Sequence, residues 1–220
     1  MPYPSVIAID GPVASGKTTV GREVARRLGS QFVDTGVFYR AVTLAALRRR
    51  VPVDDPEALT ALAESLELCL AHNGEGMLVD GEDVSGELRT PEVDASVSPV
   101  AQTAGVRRAV LGPQRETARE GNIVMVGRDI GTVVLPGSAK VYLDASVEER
   151  AHRRALELQA QGASRSEADV RATLERRDAI DSQRSEAPLR AAADAYVVAT
   201  DGLGVQDVVE LVLAALAEEE

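Results

Sequence analysis

Lys17 offers the first chemistry in this sequence. It stands in Gly11-Pro12-Val13-Ala14-Ser15-Gly16-Lys17-Thr18, a G-x-x-x-x-G-K-[ST] pattern followed by Thr19. Successive backbone N–H groups in such a loop can wrap phosphate oxygens, and the positive end of a following helix adds to the attraction. Gly11 and Gly16 permit the positive φ and close backbone approach that the wrap requires. Lys17 supplies a compact cation to the β- and γ-phosphates, and the Thr18 hydroxyl is the expected Mg²⁺ ligand. With two lysines among 24 basic residues, an accidental match is expected on the order of 10⁻³ times per chain. The residues therefore predict nucleoside triphosphate binding at 11–19.

A second anion site is needed if the γ-phosphoryl group is to reach an acceptor. Asp34-Thr35-Gly36 with Tyr39-Arg40, and Gly127-Arg128-Asp129, supply basic residues just after apolar strand-like runs. In a parallel sheet, ligands gather at the carboxyl ends of strands, so the loops at 11, 34 and 127 should open on one edge. An arginine fork can hold a phosphate monoester bidentately. The Asn-Lys-x-Asp guanine-reading stretch of switch GTPases is absent, since Lys140 lies in Ala139-Lys140-Val141. On residues alone the readings are a kinase for a small acceptor, a motor ATPase and a nucleotide-binding regulator, with the paired arginines favouring the first.

The elements that must hold these residues follow from periodicity. Short buried-strand runs occur at Ser5 to Asp10, Gln31 to Asp34, Asn122 to Val126, Ala139 to Leu143 and Ala195 to Ala199. Helical patterns run over Lys17 to Leu28 (with Gly29 as stop), Val37 to Arg50, Val106 to Glu120, Val147 to Gln161, Ser166 to Asp181 and Val205 to Leu216. Strands alternating with helices predict an α/β fold with a five-stranded parallel sheet covered on both faces. Residues 66–90 carry Asn73-Gly74 and Asp80-Gly81 between alternating apolar residues, which predicts a small antiparallel insertion. Thr35 is expected to cap the second helix, and Cys69 to be a small buried residue of the insertion. His72 and His152 read as surface histidines, Phe38 as helix packing, Asp54 and Asp55 as helix-start charges, and Glu218 to Glu220 as a solvated tail.

Composition narrows the setting. The 220 residues are 45% hydrophobic, with a net charge of −11 and one cysteine. The acidic balance argues against nucleic acid as a partner, and a lone cysteine excludes an internal disulfide. No apolar run is long enough to span a membrane, and the N-terminus lacks the basic and cleavage regions of a secretory signal. A cytoplasmic protein is expected, acting as a monomer without nucleic-acid or membrane partners.

Taken together, these motifs resemble the bacterial cytidylate kinases, within the nucleoside monophosphate kinases. The resemblance runs along nearly the whole chain: Ile9-Asp10-Gly11-Pro12, Asp34-Thr35-Gly36, Gly81 to Ser85, Leu88-Arg89-Thr90, Gly127-Arg128-Asp129-Ile130-Gly131-Thr132, Glu148 to Ala151, and Arg177-Asp178 before Asp181 and Arg184. It implies a P-loop NTPase-type core over about 1–35, 104–147 and 190–220. It also implies an acceptor region over about 36–103 that includes the 66–90 insertion, and a helical lid over about 148–165. A helix over 166–189 would contribute to the substrate site, all within one unit. The implied reaction passes the ATP γ-phosphoryl group to CMP or dCMP. Arg40 and Arg128 would hold the acceptor phosphate; Ser98, Arg107, Asp129 and Arg184 would surround cytosine; Asp181, supported by Arg177, would meet the ribose; Thr35 would also belong to the substrate site. Lys17, Arg128 and the lid arginines Arg150, Arg153 and Arg154 would balance transferring charge. Val126 departs from the acidic residue many members carry there, which leaves Asp34 or water to serve the metal.

Overall fold

A computed structural model describes residues 3–71, 74–160, 162–163, 165–184 and 186–217. His72, Asn73 and the tail Glu218–Glu220 therefore lie outside the described residues, as does Gln161, the predicted end of one helix. The central sheet has five parallel strands in the order β2-β6-β1-β7-β8: β2 Gln31–Asp34, β6 Ile123–Gly127, β1 Val6–Asp10, β7 Ala139–Asp144 and β8 Tyr196–Ala199. Every strand in that order is one the apolar runs predict, with no end shifted by more than a residue.

Both faces of the sheet are covered, which is why the strands read as continuous apolar runs. On one face Ile7, Ile9, Val124, Val126, Val141, Leu143 and Val198 pack with α1 (Lys17–Leu28) and α8 (Val205–Ala217). On the other, Ala8, Val33, Ile123 and Met125 meet Ala118, beyond α5 (Ala104–Thr117), and a π-helical turn, Ile130–Val134. A further core joins α2 (Gly36–Arg48), α3 (Pro56–Ser65), α4 (Pro91–Gln102) and α5 with the insertion, around fully buried Phe38, Leu59, Met77 and Leu88. The insertion is a three-stranded antiparallel sheet, β3 Leu68–Leu70, β4 Met77–Val79 and β5 Glu82–Asp83, as its turn dipeptides predict.

Helices α3 and α4 are absent from the predicted set. Asp55 caps α3, accepting from the amides of Glu57 and Ala58 with Pro56 in the first turn, so the expected helix-start charge is a cap in fact. Thr90 caps α4 through the Val93 amide, again with a proline at the start. Two local expectations are corrected. Thr35 stands at the N-cap of α2 but its side chain caps nothing: its Oγ1 donates to the Val126 carbonyl at 2.9 Å, and Asp34 Oδ1 accepts the Gly36 amide at 3.0 Å instead. Cys69 is exposed, because the strand period places it on the face opposite Leu68 and Leu70.

Helices α6 (Val147–Ala160) and α7 (Glu167–Ser182) pack on each other through Ala151, Val170 and Leu174. Among the described residues no helix is long and apolar enough to cross a membrane.

Candidate active site

Strand register builds the site. Asp10 ends β1 opposite Gly127 on β6, and Asp34 ends β2 opposite Val126. The loops beginning at Gly11, Thr35 and Arg128 therefore leave one edge of the sheet together. Between them lies a cavity of about 990 Å³, at the upper end of the range for small-molecule sites and large enough for two nucleotides.

The phosphate-binding loop forms one wall. Gly11 and Gly16 adopt φ of 152° and 93°, and Ala14 is also left-handed at 62°. A Cβ at Gly11 would lie 2.3 Å from the Leu143 carbonyl oxygen, so glycine is required by space as well as by φ. Lys17 Nζ donates to the Pro12 carbonyl at 2.5 Å and to Ser15 Oγ at 3.5 Å. Burial, then the neighbouring Arg128 charge, pushes the Lys17 ammonium down to about 7 against the pull of Asp34, Asp10 and Asp181. Val13, Ala14, Ser15, Gly16, Thr18 and Thr19 all border the cavity.

The facing wall is basic. Arg40 on α2 donates to the Leu88 carbonyl at 2.8 Å and pairs with Asp94 on α4 at 2.7 Å. Arg128 and Arg184 both pair with Asp181, which is 2% exposed. Arg177 on α7 borders the same cavity, and its Nε finds no hydrogen-bond partner among the described residues. Burial, then the repulsion of Arg128, pulls this guanidinium down to about 10. Ser98 on α4 lines the cavity one helical turn from Asp94.

Behind that wall Arg107 pairs with Asp129, donates to the Ala101 carbonyl at 3.1 Å and lies 5.1 Å over the Tyr39 ring. Neither Arg107, Asp129 nor Thr35 borders the cavity; Tyr39 does. Arg150 is also displaced from its expected place. It is 5% exposed, donating to the carbonyls of Ala145 at 3.0 Å and Val13 at 3.2 Å and pairing with Asp178 on α7 at 2.7 Å. In this arrangement it ties α6 to the phosphate loop and does not border the cavity. One turn further, Arg154 borders the cavity and pairs with Glu157 at 2.9 Å. Arg153 borders it too, donating to Thr200 Oγ1 at 3.0 Å.

Several lining residues have no counterpart in the predicted site. Arg89 and Glu75 approach from the insertion side, with Arg89 3.3 Å from Asp34 and Glu75 2.5 Å from Arg22. Thr200, Leu203, Gly204 and Val205 follow the carboxyl end of β8. The strand-end rule that singles out 11, 34 and 127 applies to β8 equally and marks this loop.

A phosphate loop facing an arginine cluster at the switch edge of a parallel sheet defines a P-loop kinase. Comparison with known proteins narrows this. The family model for cytidylate kinase matches residues 7–218. A cytidylate kinase of Desulforamulus reducens is 46% identical over 209 residues, covering 94% of each chain. A cytidylate kinase of Geobacillus sp. is 43% identical over 215 residues, covering 96% of each. A shikimate kinase from Bacteroides thetaiotaomicron shares the fold at a TM-score of 0.51 and 17% identity, over 96% of this chain and 97% of the other. The chain belongs to the cytidylate kinase family.

Proposed function

We propose that the protein transfers the γ-phosphoryl group of ATP to CMP and dCMP, giving CDP and dCDP. One observation carries the reading: the loop bearing Lys17 and the cluster Arg40, Arg128 and Arg177 line a single cavity. Two anionic ligands can be held there with their phosphates approaching each other.

The acceptor phosphate is its own nucleophile at neutral pH, so the work of the protein is positioning and charge stabilisation. Arg40 and Arg128 hold the acceptor phosphate, with Arg177, the least neutralised of the group, adding to it. Ser98, Arg184, Arg107 and Asp129 form the base-reading group. A carboxylate, a hydroxyl and guanidinium donors match the donor and acceptors that cytosine presents. Asp181 meets the ribose once phosphate has drawn Arg128 from it. Thr35 acts from behind by holding the Val126 carbonyl. Thr200 to Val205 offer an apolar and backbone surface for the donor base.

Mg²⁺ keeps most of its waters and takes one or two protein oxygens together with phosphate. Thr18 and Asp34 both border the cavity, and among the described residues no group of three His, Cys, Asp or Glu side chains stands ready for a metal. This donor set fits an ion that enters with the triphosphate. When bound, the ion offsets charge on the β- and γ-phosphates.

Residues 36–103 act as the acceptor region and 148–165 as the lid. Closure of the lid brings Arg154 and Arg153 toward the phosphates and excludes water. The proposed setting is a monomer acting in the cytoplasm. The test is coupled ADP release with Mg·ATP across CMP, dCMP, UMP, AMP, GMP, shikimate and no acceptor. Fast turnover confined mainly to CMP and dCMP is expected; equal slow release with all and with none would sink the proposal.

A further inference from the structure

One buried carboxylate takes no part in the chemistry above. Asp10 closes β1, and the phosphate loop begins at the next residue. The side chain is 5% exposed and does not border the cavity. Its oxygens reach instead to the chain leaving β6. Oδ1 accepts the Ile130 amide at 2.9 Å, and Oδ2 accepts the Gly131 amide at 2.8 Å. These amides open the π-helical turn Ile130–Val134, where a helix start leaves N–H groups without backbone acceptors. The two residues just before them are Arg128 and Asp129.

The sheet itself cannot fix that loop. The β1–β6 ladder ends at the Asp10–Gly127 pair, so residues 128–131 leave the strand with no further rung. Two amides pointing the same way need two acceptor oxygens at a fixed spacing, and a carboxylate is the one short side chain that supplies both. An amide side chain in its place would turn an N–H₂ group toward one of them. Burial pushes the Asp10 carboxyl up to about 6, even though the two amides and Lys17 pull it down. Asp129 in the loop adds to the upward push. Tyr142, its register neighbour on β7, lies on the other side, and Lys140 of β7 packs against Gly131. A charge placed in so unfavourable a position calls for a return, and the return visible here is the geometry of the Arg128–Asp129 loop.

We infer that Asp10 is a positioning residue: its carboxylate ties the loop carrying Arg128 and Asp129 to the strand that launches the phosphate loop, and so sets acceptor against donor. The inference rests on the proposed acceptor roles of Arg128 and Asp129. Asp10 touches neither nucleotide, and the two phosphate sites are held in register through one side chain.

The experiment measures CMP and a non-hydrolysable ATP analogue separately by calorimetry, on the full chain and on Asp10→Asn, between pH 5.5 and 7.5. At pH 7.5 the variant should bind CMP at least tenfold more weakly and the ATP analogue within twofold of wild type. In the wild type CMP affinity should also weaken toward pH 5.5 by more than in the variant, because both share the titration of the CMP phosphate and only one has Asp10 to protonate. Equal losses for both ligands, or the same pH dependence in both proteins, would overturn the inference. Should Asp10→Asn not fold, Asp10→Ser, which leaves one amide unpaired, is read by the same criteria. A wild type with no affinity for CMP would overturn the proposed reaction and this role together.

Discussion

Asp94 on α4 sits 2.7 Å from the guanidinium of Arg40 on α2, so a carboxylate occupies one of the arginines facing the phosphate loop. The same holds beside it, where Asp181 takes both Arg128 and Arg184. The free protein thus carries internal anions where the proposed acceptor would place its phosphate. Binding is an exchange of one anion for another, which limits the cost of keeping several guanidinium groups together.

Removing Asp94 should therefore favour the acceptor. The pair is part-exposed, with side chains 15% and 36% accessible, so its loss is worth about 1 kcal/mol at most. Asp94→Asn is expected to lower the acceptor KM by about three- to fivefold with the ATP KM unchanged. Steady-state kinetics with each substrate varied in turn provides the check. An acceptor KM that rises would mean that Asp94 itself holds the acceptor.

Arg150 and Arg154 share one face of α6 at a four-residue spacing, yet their surroundings predict opposite behaviour. Arg150→Ala removes the partner of Asp178 and the donors to Val13 and Ala145, and should destabilise the fold by about 2–4 kcal/mol. Arg154→Ala should leave stability within about 0.5 kcal/mol and lower kcat. Urea unfolding of the two variants, paired with turnover at saturating substrate, distinguishes them. An Arg150 variant of wild-type stability and depressed kcat would restore Arg150 to the phosphates.

That contrast shows where sequence reading stops. The phosphate loop, the five strands and the edge on which their loops open are legible because period and motif are local properties. Helices α3 and α4 were legible too, in Asp55-Pro56 and Thr90-Pro91, but α4 carries Pro99 inside it and few large apolar residues, which hides its period. The exposure of Cys69 was present in the alternation of Leu68 and Leu70. Arg150 and Arg154 were not separable, because which turn of α6 abuts Val13 is a tertiary fact. Asp94 and Arg40 lie 54 residues apart, and no local pattern announces a pair of that kind.

Lys17 is held by its own loop in the free protein, through the Pro12 carbonyl, and must leave that bond to meet the triphosphate. Lys17→Ala should cut kcat by about 10³-fold or more, as for other preorganised charges on a transferring phosphoryl group. CMP affinity measured alone should change by less than about threefold, since Lys17 serves the donor phosphates while Arg40 and Arg128 hold the acceptor. Near-normal turnover in this variant would remove Lys17 from the reaction.

Asp10 should leave a signature on stability with a defined sign. Its carboxyl is held at about 6, above the ordinary 3.8, mainly by burial. The folded state therefore binds this proton more tightly than the unfolded chain does. The contribution of Asp10 to stability is greatest below about pH 4 and declines as pH rises through the folded value. Asp10→Asn lacks the titration, while Asp129, Lys17 and Tyr142, which face the site, remain in both proteins. The stability of wild type minus variant, from urea unfolding, should fall on the order of 2 kcal/mol between pH 4 and 6.5 and level off above 7. A difference that rises with pH would mean that the two amides outweigh burial, so that the charge stabilises the fold it sits in and its retention needs no functional account.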